Sequence, residues 1–181
     1  GNLKKLGLDE FIPEIEGKVK KITQLVEDIL KTKQLARDIQ SFLQMYNKES
    51  TFQVVRMANI RSLRKNANEL IARIEETPSD LKSILSEDLI DELHLFINRL
   101  QKTEKVVTDE ALSLWDSEIN SMADIEKIQK RLEKLIQIFE GCERDLDDLN
   151  IMNNAARVFK QLYIELDNEN LTWKEFESLS E

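Results

Sequence analysis

The chain holds one histidine, His94, and one cysteine, Cys142. A helical di-metal centre needs inward-facing Glu residues and a Glu-x-x-His motif on each of two helices. His94 is preceded at that offset by Asp91 rather than Glu, and one histidine cannot complete two motifs. Ferritin-like chemistry is therefore excluded, and His94 reads as a solvated or half-buried helix residue. Cys142 falls between Phe139 and Leu146 on an apolar stripe, the setting of a buried, inert thiol rather than a nucleophile. The run Asp167-Asn168-Glu169-Asn170-Leu171-Thr172 opens like a calcium loop, but an EF-hand wants Gly at position six and Glu at position twelve. Those places hold Thr172 and Ser178. The chain has no Gly-rich phosphate loop, nucleophile elbow or cysteine pair with zinc spacing. No catalytic, cofactor-binding or metal-ligating residue is assigned, and no enzyme activity is expected of this segment.

Recognition offers more. Arg61, Arg64, Lys65 and Asn68 lie within about a third of a helical turn of one another at 100° per residue. Such a face binds phosphate or an acidic partner, but no aromatic residue is interleaved for base stacking. An ordinary solvated face is the preferred reading. A third reading docks it onto the acid-rich patch Glu140, Glu143, Asp145, Asp147 and Asp148, in cis or between chains. Trp115 and Trp173 are expected to pack at bundle ends, and either one found exposed becomes a candidate partner contact.

The elements that must position these residues are helices. Ile125, Ile128, Leu132, Leu135, Phe139, Cys142, Leu146 and Leu149, then Ala156, Phe159, Tyr163 and Leu166, alternate in steps of three and four and share one helix face. A helix with such a stripe must bury it against other helices or another chain. A first helix is expected from about Pro13 to Asn47, along Ile15, Val19, Ile22, Val26, Ile29, Ala36, Ile39, Leu43 and Tyr46. A second runs from Ser50, capped by Ser50 and Gln53, to Glu76, where Thr77-Pro78 breaks it. After a short turn over Leu81–Leu85, a third starts behind Ser86 and continues to Leu114, with Thr108-Asp109 its weak point. Ser121 and Asp124 stand in capping-box positions ahead of a fourth helix. Unbroken from Ala123 to Asp167, that helix is roughly 65 Å long, and a kink rather than a full break is expected at Gly141 or the Asn150, Asn153, Asn154 cluster. Thr172 and Glu175 cap a short terminal helix, with Leu171 and Phe176 as its staple.

These elements predict an all-α fold. It is an elongated antiparallel bundle of about four long amphipathic helices with coiled-coil-like packing, plus a short C-terminal helix. One domain spans residues 1–181, cut from a longer protein, with residues 1–8 loose. Only four Gly and two Pro leave little material for the turns of a many-stranded β fold. The single cysteine points to a reducing, cytoplasmic setting, and no apolar run spans a bilayer. Residues 1–103 hold 17 Lys+Arg against 16 Asp+Glu, whereas 104–181 hold 9 against 19. That acidic second half repels nucleic acid and anionic lipid. The expected function is a non-catalytic interaction or spacer domain that binds protein partners or itself. Three alternatives are a regulatory lever on an absent catalytic module such as an NTPase, a weak nucleic-acid module using Arg61, Arg64 and Lys65, and a membrane-curving dimer. The net charge of −9 disfavours the last two.

Overall fold

A computed structural model describes residues 9–168 and 177. Every regular element among them is helical, and the helices pack on one another in an all-α fold. The expected loose start, the Thr172–Glu175 cap with its staple, the terminal helix and Trp173 lie outside the described residues.

A 3-10 turn, Asp9–Phe11, leads into helix α1, Ile12–Tyr46, with Pro13 in its first turn. Pro is tolerated there because its missing N–H would have no helical partner. The helix closes where the Asn47 N–H donates to the Leu43 carbonyl at 2.9 Å.

The second predicted helix departs from expectation. It divides into α2, Glu49–Gln53, and α3, Met57–Glu76, so Ser50 sits inside α2 instead of capping a long helix. The adjacent β-branched Val54 and Val55 disfavour helix. The interruption also restarts the chain, with the Arg56 carbonyl accepting from the N–H groups of Asn59 and Ile60 at 3.0 and 3.1 Å. In the new register Met57 and Ile60 are fully buried.

Pro78 ends α3 as expected, and a 3-10 segment, Ser79–Ile84, precedes α4, Glu87–Trp115. Helix α4 continues through Thr108-Asp109 without a break. At the next turn Ser121 is the N-cap of α5, Met122–Ile138. The Asp124 N–H donates to Ser121 Oγ at 3.3 Å, and Asp124 Oδ2 accepts from the Asn120 N–H at 2.9 Å.

The long fourth helix is not formed; instead of a kink, the chain breaks completely. α5 ends before Phe139, and α6 runs from Glu143 to Asn168. Gly141 between them has φ +88°, a backbone conformation that any side chain with a Cβ resists. The stripe is thereby folded onto itself. Ile125 and Phe159 would stand about 50 Å apart on one straight helix. Here they line one small cavity with Tyr163, and Lys160 Nζ lies 3.7 Å from Glu126 Oε1.

The contacts divide the chain into two units, residues 1–49 with 65–98, and 50–64 with 99–181. In the first, Leu35, Ile39 and Leu43 of α1 are buried, as are Ala67, Leu70 and Ile74 of α3, and Leu93 and Phe96 of α4. The Phe42 and Phe96 rings meet edge to face at 5.4 Å, a favoured aromatic geometry. In the second, Leu100, Val107 and Leu114 of α4 are buried, with Ile125, Leu132 and Leu135 of α5 and Leu149 and Met152 of α6.

A Cβ on Gly141 would meet only the Ala58 Cβ, at an ordinary 3.6 Å, so backbone strain alone sets the penalty. Gly141→Ala is expected to destabilise by about 1–2 kcal/mol in urea denaturation, and Gly141→Asn by less, since Asn tolerates positive φ. In the first unit, the Asp38 carboxylate accepts from Gln34 at 2.8 Å and from Arg73 at 2.9 Å. These bonds, Gln34 first, hold its pKa below the usual carboxylate value. A depressed folded pKa gives stability that is present at neutral pH and fades as pH falls through the carboxylate range. Asp38→Asn should therefore be less stable than wild type at pH 7, with the difference shrinking below about pH 4.

Candidate functional site

The basic face on α3 is built by the helix periodicity that the sequence displays, but two of its cations are already engaged. Arg61 Nε donates to Glu104 Oε1 at 3.0 Å, and Arg61 Nη1 donates to Asp145 Oδ2 at 2.7 Å. Arg64 Nη1 stands 2.6 Å from Glu104 Oε2. That contact is off the line of the N–H, so the buried oxygen gains charge compensation without a directed hydrogen bond. The bond to Asp145, and then that to Glu104, raise the Arg61 pKa against the opposing effect of burial. The Arg61 guanidinium also lies 5.8 Å from the centre of the Phe139 ring, within cation–π range. Lys65 and Asn68 remain exposed.

The cis docking weighed from sequence is thus present in part. Asp145 takes Arg61, and Glu140 takes Arg56 at 3.1 Å. Glu104, which the sequence reading passed over, is the central acceptor, with a side chain only 14% exposed. A signal was available. The α4 stripe steps from Leu100 to Val107, twice the helical interval, and Glu104 fills the gap.

Trp115 is 58% exposed at the end of α4. With Leu112, Phe139, Leu149 and Met152 it lines a shallow groove of about 80 Å³ whose rim carries Asp145 and Asp148. The exposure of Trp115 exceeds what the packed position expected from the sequence would leave. Cys142 is half-buried at the start of α6, where its carbonyl accepts from the Leu146 N–H at 3.0 Å. His94 is exposed on α4.

A cleft of about 120 Å³ in the first unit is lined by Asp28, Lys31, Thr32, Arg73, Glu76 and Thr77. Both threonine hydroxyls donate to carbonyls four residues back, those of Asp28 and Arg73. The remaining charges are of both signs and form no convergent set for a ligand. Among the described residues no three His, Cys, Asp or Glu side chains stand close enough to hold a metal ion, and no helix is long and apolar enough to cross a membrane.

One unassigned apolar surface lies where the sequence pattern predicts core. In α1 no residue before Thr32 is buried. Phe11, Ile15, Val19, Ile22, Val26 and Leu30 are each 46–62% exposed along this part of the chain. A continuous apolar stripe of this size on a protein surface marks an interaction site.

Comparison with protein families, curated proteins and solved structures finds no match to this chain. The surface must be interpreted by its chemistry alone.

One consequence concerns Arg61. Arg61→Glu leaves Glu104 largely buried without its best partner and adds a like charge beside it. A loss of about 2 kcal/mol is expected, at the modest end for a buried pair because Arg61 itself is a third exposed. Adding Glu104→Gln should restore part of that loss in a double-mutant cycle. A free nucleic-acid-binding face would lose binding on this reversal and keep its stability.

Proposed function

We propose that this chain is a non-catalytic helical module that binds protein through the bare apolar stripe of α1. The observation that carries the reading is the exposure of that stripe from Phe11 to Leu30, a face with the spacing that helix-in-groove and coiled-coil partners use. The buried half of the same helix, from Thr32 onward, anchors it to the first unit. The exposed half is thus presented as an arm whose one apolar face must find a cover. The lack of paired catalytic groups in the sequence supports a binding role over an enzymatic one. A reducing, cytoplasmic setting belongs to the same reading and rests on the lone cysteine.

The nucleic-acid alternative is weakened by the engagement of Arg61 and Arg64 with Glu104 and Asp145. A cation already paired within the chain has little to gain from a phosphate. The lever reading places the same module on another catalytic domain and needs no separate surface.

The test is capture from native lysate, treated with nuclease, by wild type and by Val19→Glu with Ile22→Glu. Wild type should retain discrete proteins, among them any longer protein carrying this chain, and the variant should lose them at least ten-fold. Equal retention by both, or recovery by wild type that disappears with nuclease, removes the reading.

A further inference from the structure

Resting on α1 as the binding surface, we infer that the stripe is covered by the same stripe of a second copy, running antiparallel. Ile12, Val19 and Val26 recur every seven residues, and Ile15, Ile22 and Ile29 repeat the interval three residues later. This alternation of three and four is the seam of a two-stranded coiled coil. In an antiparallel pair with its two-fold axis between Lys20 and Lys21, the exposed Val19 packs on the partner's Ile22 and Ile15 on the partner's Val26, while half-buried Ile12 and the partner's half-buried Ile29 close each end. Every layer is then apolar.

The rim agrees. In this register Lys18 stands beside the partner's Leu25, and Glu16 beside the partner's Thr23, so these flanking pairs set no like charges together. A parallel pair fares worse. It aligns Asp9, Glu10, Glu14 and Glu16 with their own copies, and it sets Lys33, the next residue of the first series, against itself. A parallel two-stranded coil also prefers Leu at the second seam position, which is Ile at residues 15, 22 and 29. The antiparallel pair instead lays the four carboxylates beside residues 25–32, where Lys31 offsets part of the charge of Glu27 and Asp28.

The area is sufficient. Seven large side chains, those of the stripe with Leu25, stand about half exposed. Fully covered, they would bury roughly 600 Å² per copy and about 1,200 Å² for the pair, the lower end of specific interfaces. The anchored halves of α1, beginning at Thr32, then lie at opposite ends of the pair.

Size-exclusion chromatography with light scattering over a concentration series should reach twice the 21.2 kDa of one chain. Val19→Glu with Ile22→Glu should return it to one chain, weakening association at least ten-fold, with a helical circular-dichroism spectrum and a cooperative melting curve showing that the variant folds. Val158→Glu, an exposed apolar site on α6, should leave the dimer intact. Orientation is read by spin labels on Lys31→Cys in a Cys142→Ser background. The antiparallel pair separates the two labels by about 30 Å along the axis, and a parallel pair sets them side by side. A single-chain mass at every concentration, a mass above two chains, or side-by-side labels overturns the inference. A single-chain mass together with stripe-dependent capture from lysate would sink the self-pairing and leave the binding role standing. Loss of both would sink the two together.

Discussion

The reversal at Gly141 is the constraint on which the second unit depends. A stripe running without interruption from Ile125 to Leu166 would demand an external partner over its whole length. With φ +88° at one glycine, the chain turns back and supplies that partner itself. Leu132, Leu135 and Phe139 on one side of the turn, and Leu149, Met152 and Ala156 on the other, are buried. Burial of this kind is the main favourable term in folding, and here it is made intramolecular by one backbone conformation. The first part of α1 has the same pattern of residues and no such reversal. Its stripe stays bare.

Glu104 shows a second constraint, electrostatic in kind. A carboxylate at a stripe position must be charge-compensated, because an unpaired buried charge is among the most unfavourable groups a core can hold. Arg61 and Arg64, one helical turn apart on α3, reach it together, and Arg61 extends the pairing to Asp145. Such a network adds little net stability over an apolar core of equal volume, while removing one member is strongly unfavourable. Its effect is on register. Arg61 bonds to Glu104 and to Asp145 at once, so sliding one of these helices past another would break the pairing. The cluster that looked like a recognition surface is therefore spent internally.

Helix type and most helix starts were legible in the sequence, because amphipathic period and capping chemistry are local. Pro78, the Ser121–Asp124 cap and the start of α4 behind Ser86 all fall where local rules put them. Breaks were less legible. Gly141 and Val54-Val55 are permissive of either a helix or an interruption, and tertiary burial of Met57, Ile60 and the α5–α6 stripe decides between them. Periodicity tells which side chains share a face but not whether anything covers it. Ile15, Val19 and Ile22 were indistinguishable from Ile39 and Leu43 on the page, yet the first three face solvent and the last two are buried. Doubled intervals in a stripe carried more information than the stripe itself. The step from Ile29 to Ala36 brackets buried Thr32, satisfied by the Asp28 carbonyl at 2.7 Å. The step from Leu100 to Val107 brackets Glu104.

The exposed half of α1 also has an energetic consequence for how it binds. From Ile12 to Lys31 it has no buried residue and no side-chain cap at its start. Local support comes from pairs such as Glu14 with Lys18, at 3.7 Å, and Gln24 with Asp28, at 3.0 Å, each a matter of a few tenths of a kcal/mol. Gly17 subtracts about 1 kcal/mol relative to Ala, and no packing contact requires it, since a Cβ there would meet nothing within 4 Å. A helix of this length whose tertiary contacts among the described residues are confined to its last turn, at Asp28 and Lys31, is marginal in water. Continuity with the anchored half removes the need for a separate nucleus, but not the cost of holding each further residue. Covering the stripe with a partner therefore stabilises the helix as well as the contact, so order in this arm and association are linked. Part of the gross interaction goes into ordering the arm, which holds the affinity below what its area alone would give. A long apolar face of modest net affinity can dissociate and re-form, as an interaction module requires and a permanent core does not.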